Sequence, residues 1–278
     1  ARTMARTLNL ASTSLDAAGQ NLRFEAADGV DQVNLLAGEL ARVNLRLARA
    51  ADASSDQTTL LDQRDHLLEQ MSQYADVTTT FAADQTVEVR LGGAAGPQVV
   101  SGGSSFALAM TTAGDGTIAF DVAGTPVSPA AGSLAGKGQA LAKIVDVRTG
   151  LDAIANSLIA TLNAAQAPGA ALDGSPGQPM LAGTGPPGLA LAFQDRAPIA
   201  TAPAGADANS RDAANLGALR TALGLADPAG AMDALIFDVS GTVQGRTVTR
   251  DALDSLARTA RVALQAQAGV APRHVADN

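Results

Sequence analysis

The sequence contains no cysteine and no tryptophan, one tyrosine and two histidines. Without cysteine, disulfides and thiolate metal sites are excluded. Aromatic residues make up only 3 % of the chain, and a core of small aliphatic residues favours close helix packing over a deep ligand pocket. Lysine is scarce, basic residues do not cluster, and the net charge is -8, which argues against nucleic acid as a partner. No run approaches the roughly 18 consecutive apolar residues of a transmembrane helix, so membrane insertion is not expected. No signal peptide is visible. Residue 1 is alanine and the first residues already read as helix interior. The chain is therefore expected to be an excised core, in which a missing export signal carries no information.

What is present is aliphatic and periodic. The 278 residues are 46 % hydrophobic, enough for two domains or for one with insertions. Residues 5 to 50 read as one long helix, with an interruption possible at Gly29. Val33, Leu36, Leu40, Val43 and Leu47 alternate at spacings of three and four, an a/d heptad seam. Extended backwards, the register places Leu22, Leu15 and Leu8 at d and the small residues Ala26, Gly19 and Ser12 at a. A seam this weak before Val33 suits a bundle helix better than an extended dimeric coiled coil.

After a polar loop, where Ser54, Ser55 or Asp56 can cap the next helix, Leu60 to Ala75 forms a second helix running into a strand at Val77. Leu60, Leu61, Leu67, Leu68, Met71, Tyr74 and Ala75 cover an arc of about 140° on a helical wheel. Arg64 sits inside that arc. A guanidinium keeps its charge, so it needs a carboxylate, carbonyls or water. Arg64 is expected to be an interior anchor between packed helices.

From Asp76 the period changes to two. Val77 to Phe81, Thr86 to Leu91, Gln98 to Val100, Phe106 to Thr111, Thr117 to Val122 and Thr125 to Val127 read as strands, separated by turns such as Asp84-Gln85. Helix returns over Ser133 to Ala167, where Ile144, Val147, Leu151, Ile154 and Leu158 repeat the heptad seam. Pro168 to Gly188 is a loop, Leu189 to Phe193 a possible strand, Ala197 to Ser210 irregular, and Arg211 to Leu225 helical. Ala234 to Val239 and Thr242 to Val248 read as strand or mixed. A last helix is expected from Thr249 to Ala268, with a stripe of Leu253, Leu256, Ala260 and Leu264 and a stop at Gly269 and Pro272.

This pattern predicts an α+β fold, an elongated bundle of long antiparallel helices with an inserted antiparallel β-rich lobe. The expected division is a discontinuous helical bundle of residues 1–75, 133–168 and 249–278, a β-rich insertion at 76–132, and a mixed β/α outer lobe at 169–248.

Candidate chemistry is thin. Asp62, Asp65, His66 and Glu69 have a spacing that could ligate a metal, but the only other histidine is His274, and the face lies opposite the leucines. A solvated surface explains it better. No phosphate loop, G-x-S-x-G or triad is present, so neither catalysis nor a cofactor is expected.

One block is more informative. Leu60-Leu61-Asp62-Gln63-Arg64-Asp65, Leu67-Leu68 and Ser72 to Val77 closely resemble the flagellar hook-associated protein 1 family, the first hook–filament junction proteins. In that family a leucine-rich helix runs into a strand, followed by a hairpin like Thr86 to Gly93 and an end like Val100-Ser101-Gly102. Asn34-Leu35-Leu36 and Leu40 to Asn44 match the family's two asparagine-containing turns. Gly136 lies where the family has a glycine before its next helix, and Asn163, Gly169, Asp173, Gly174 and Gly177 match the segment after it. Gln166 replaces the usual histidine, and Leu181 an aromatic. The resemblance covers residues 5 to 180 well and the remainder loosely.

It implies a non-enzymatic, extracellular axial subunit of the bacterial flagellum, exported by the type III route, that forms a ring of copies between hook and filament. The implied partners are itself, the hook protein and the third hook-associated protein, with a transient export chaperone whose usual C-terminal binding region is expected to be missing from this chain. The family's terminal helical segments also look missing, so this fragment is expected to be monomeric. Alternatives are another axial protein, such as the third hook-associated protein or a flagellin-like subunit, or a surface adhesin or metal-dependent enzyme.

Overall fold

The computed structural model describes residues 2–50 and 54–267. The expected stop at Gly269 and Pro272, His274, and the side chain of Leu264 lie outside the described residues.

Helix α1 (Arg2–Leu47) is unbroken for 46 residues, roughly 70 Å at 1.5 Å per residue. The possible interruption at Gly29 does not occur. Gly29 is buried, and a Cβ there would stand 3.0 Å from Leu134, so its glycine serves close packing. The heptad register predicts burial well. Ala5, Ser12, Gly19, Ala26, Val33, Leu40 and Leu47, all a positions, are buried. Helix α2 (Ser55–Tyr74) follows, with the Ser54 hydroxyl accepting from the Gln57 N–H at 3.1 Å as its cap, and packs along α1.

The next segment makes two small antiparallel sheets. The first has the order β1 (Val77–Phe81), β2 (Val87–Leu91), β3 (Gln98–Ser101), β4 (Ser104–Ser105). The second is β5 (Leu108–Thr112), β6 (Ile118–Val122) and β7 (Thr125–Val127). Alternation sets their burial: Val87, Val89 and Leu91 point inward, while Glu88 is exposed. Asp76 ties the segment's two ends together. Its carboxylate accepts from Ala130 N at 2.9 Å and its carbonyl from Gly92 N at 3.3 Å. Gly132, at φ +83°, follows against α2; a Cβ there would meet the Tyr74 carbonyl at 2.5 Å.

Helix α3 (Gly132–Gln166) comes next, so Gly136 lies inside the helix. Then follow β8 (Gly169–Ala170), β9 (Leu181–Ala182), the single turn α4 (Gly185–Gly188), β10 (Ala190–Leu191), β11 (Ala202–Pro203), α5 (Ala214–Ala226) and α6 (Pro228–Gln267). The strand expected at Leu189 to Phe193 shrinks to two residues.

The largest departure is α6. Ala234 to Val239 and Thr242 to Val248 are helical, and the helix expected to begin at Thr249 begins at Pro228. The β-branched residues of that stretch suggest strand, but no turn separates its halves, and the helix start is well made. Proline suits the first helical position, and the Asp227 carboxylate accepts from Gly230 N at 3.1 Å, as a capping residue does.

The chain groups into two compact units, Ala1–Ala155 with Leu181–Gln194, and Asn156–Met180 with Asp195–Asn278. In the first, one apolar core joins the second half of α1 (Ala26 to Leu47), Leu60, Leu67 and Met71 of α2, the inner faces of both sheets, and Leu134. In the second, Leu158, Leu162, Ala170, Ala200 and Ala202 are buried.

Candidate functional site

The residues that position the β segment are amides on helices. Asparagine is a poor helix former, so an asparagine inside a helix asks for a reason. Asn44 is 1 % exposed. Its Oδ1 accepts from Val87 N at 3.0 Å, and its Nδ2 donates to the carbonyls of Val87 and Gly102, both at 2.8 Å. A carboxamide has the donors and acceptor of a peptide group, and here it stands in for a neighbouring strand. Asn34 repeats the device on the second sheet, donating to Leu108 O at 2.9 Å and accepting from Leu108 N at 2.8 Å. The two sheets therefore hang from one helix by two amides about 15 Å apart along it. Nearer the start of α1, Asn9 donates to the carbonyls of Pro186 and of Pro187, the latter at 3.0 Å, and so holds α4.

Arg64 supplies the pin from α2. It is 8 % exposed and anchors the helix to the β1–β2 hairpin, not to another helix as expected. Nη1 donates to Gln85 O at 2.8 Å, Asp65 Oδ1 lies 2.7 Å from Nη2, and the guanidinium sits 4.6 Å from the centre of the Phe81 ring. Gln85, at φ 65°, turns its carbonyl inward at the tip of the hairpin. Leu60 is buried and Leu61 partly buried, whereas Asp62, Gln63 and Asp65 are exposed. His66 and Glu69 share that exposed face, with the imidazole 3.1 Å from the Gln70 amide nitrogen. Among the described residues no group of three or more His, Asp or Glu is placed to hold a metal.

The second unit uses the same chemistry. Asn163 accepts from Met180 N at 2.8 Å, Asn215 donates to Ala200 O at 2.7 Å, and the fully buried Gln166 donates to Pro198 O at 2.8 Å. Gly177 lies against the Gln166 backbone, where a Cβ would come within 1.9 Å of the carbonyl oxygen. Asn9 and Asn215 were not evident beforehand; the available signal was a polar amide inside an otherwise apolar helix.

Three turns share a further pattern. Asp84, Asp115 and Asp173 each accept from the backbone N–H and the hydroxyl of the residue two places on, Thr86, Thr117 and Ser175. The hydroxyl bond, then the backbone one, hold these carboxyls below the usual carboxylate range.

Concavity is modest. A cavity of 180 Å³ is lined by Ser12, Asp16, Arg148, Leu151, Asp152, Pro186 and Pro187. It is smaller than the roughly 300 Å³ at which small-molecule sites begin, and its arginine is paired with Asp16. No helix among the described residues is long and apolar enough to cross a membrane.

Among the described residues, buried amides and one arginine hold sheets to helices in an α+β fold. The chain belongs to the flagellar hook-associated protein FlgK family, whose helical-domain model matches residues 1–181. It is also similar to the solved flagellar hook junction protein FlgK from Burkholderia pseudomallei, with 28 % identity and a TM-score of 0.55 over 65 % of this chain. The match covers 34 % of that protein. No curated protein matches the sequence.

Proposed function

We propose that this chain is part of an axial subunit that joins hook to filament and is needed for the filament to assemble. The observation that carries the reading is the family match over residues 1–181. Its mechanism is mechanical. Long helices lie side by side and carry load, while the β segment, held by Asn34, Asn44 and Arg64, keeps its orientation to them. In this reading 1–75 and 133–168 supply the helical packing layer, 76–132 is a β-rich insertion and 169–227 an outer lobe; the division expected at 248/249 falls inside the continuous helix α6 and is moved to its start at Pro228. The block Leu60-Leu61-Asp62-Gln63-Arg64-Asp65, with Asn34, Asn44 and Asn163, is its structural motif. The partners are further copies, the hook protein and the third hook-associated protein, with an export chaperone as a transient one, and the location is the extracellular flagellum. No catalysis or cofactor is part of the reading.

Deleting the gene in its native cell tests it. Cells should keep hooks, lose filaments and release flagellin into the medium, and the full-length gene should restore filaments. Normal filaments in the deletion strain would refute the proposal.

A further inference from the structure

Two guanidiniums converge within the first unit, where α1, α3 and the β5–β6 turn come together. A Cβ on Gly19 of α1 would stand 3.3 Å from Arg23 Nη1 and 3.8 Å from Arg148 Nη2. One on Gly116 of the turn would stand 3.0 Å from Arg23 Nη1 and 3.8 Å from Arg148 Nη1. Both cations therefore lie over the same two glycines. Gly116 is required by its backbone, at φ +91°. Gly19 is not. It sits inside a helix, where glycine costs about 1 kcal/mol against alanine, and its missing side chain leaves room for the guanidiniums.

The charges around this point do not balance. Among the described residues Arg148 has one carboxylate partner, Asp16. Arg23 has none among them, and its Nη1 reaches only the Gly116 carbonyl, at 3.4 Å. Asp115, the neighbour of Gly116, accepts from the N–H and hydroxyl of Thr117. Glu25, further along α1, faces Lys137 at 3.8 Å. Arg148 Nε is buried without a hydrogen-bond partner. Arginine keeps its charge in a protein, so two cations share one carboxylate, and each retains N–H donors open to an acceptor. Two planar forks of donors suit an oxyanion, which takes charge-assisted bonds from both.

We propose that Arg23 and Arg148 form an oxyanion-binding site over Gly19 and Gly116. Its ligand is an anionic oxygen group that bridges the two guanidiniums. A free tetrahedral anion such as sulfate meets that description, and so does a carboxylate presented by another copy of the chain. Every residue of the site belongs to one compact unit, and the site stands independently of the axial reading.

Nitrogen-15 NMR of the arginine Nε–H groups reads the site directly. Sodium sulfate should shift the Arg23 and Arg148 signals to saturation, and sodium chloride at equal ionic strength should not. Followed on the Arg148 signal, Arg23→Gln should raise the half-saturating sulfate concentration about tenfold. Gly19→Ala, which keeps both charges and narrows the space, should raise it as well. Arg42→Gln, at an exposed position on the same helix, should leave it unchanged, and circular dichroism checks each fold. A carboxylate from another copy would instead move the same two signals when the chain alone is concentrated at constant ionic strength, and Arg23→Gln should remove that movement from Arg148. Equal responses to sulfate and chloride with no movement on concentration would overturn the proposal. So would a response in either arm that survives Arg23→Gln unchanged.

Discussion

Helices α1 and α6 are the two longest in the chain, and both carry heptad seams. On α1 every a position from Ala5 to Leu47 is buried. On α6 the side chains described from Val243 onward are exposed. Period alone therefore does not bury a helix. The seam of α1 is met by α2, by two sheets and by Leu134, and Asn34 and Asn44 give the sheet backbones a fixed place beside it. Aliphatic packing supplies the bulk of the stabilisation there, at roughly 25 cal/mol for each Å² of apolar surface buried. The amides decide where the sheets sit.

Substitutions on the two helices separate these roles. Asn44→Ala should have the largest effect. It strands the N–H and C=O of Val87 and the carbonyl of Gly102, so urea denaturation should show a loss of about 4 kcal/mol. A loss below about 1 kcal/mol, the worth of a single ordinary hydrogen bond, would mean that the sheet is held by packing alone. Next comes Arg64→Ala, with an expected loss of about 3 kcal/mol from the bond to Gln85, the contact with Phe81 and the packing of its stem. Arg64→Lys should recover only part, because an ammonium cannot bond and stack in the same geometry. Leu253→Ser, on the exposed part of α6, should change the stability of the isolated chain by less than about 0.5 kcal/mol. A larger loss would show that α6 is covered in solution and would weaken the contrast with α1.

Local turns give the smallest effect. The Asp84 and Asp115 carboxyls have folded-state affinities for protons below those of the unfolded chain. Their contribution is therefore present above the usual carboxylate range and lost as the pH falls through the folded values. NMR titration should find both midpoints below that range, and Thr86→Ala should move Asp84 back towards it while leaving Asp115 unchanged.

How much of this was legible follows from sequence distance. The helices at 2–47, 55–74 and 132–166 and the strands at 77–81 and 125–127 stand out because period is local. Arg64 was visible as a misfit among leucines, but its acceptor is 21 residues away across a turn, and no local rule selects a hairpin over a helix. Asn34 and Asn44 could be picked out only through the family pattern. Their partners lie 74 and 43 residues on. The helix over 228–248 was misread because Val239, Val243, Thr247 and Val248 favour strand, while the capping contact of Asp227 and the unbroken helical hydrogen bonding favour helix. Intrinsic propensity is the weaker influence when the two conflict.

The sequence by itself determined the α+β class, the buried register of α1, the strand periods and the lack of cysteine chemistry, because each depends on residue type and short spacing. Tertiary structure alone decided which amide holds which sheet, that Arg64 reaches a hairpin tip, and that residues 228–248 continue into α6 as helix. Those outcomes depend on which distant backbone groups arrive unpaired beside a helix, and a buried N–H or C=O must find its partner wherever the fold brings one within hydrogen-bonding distance.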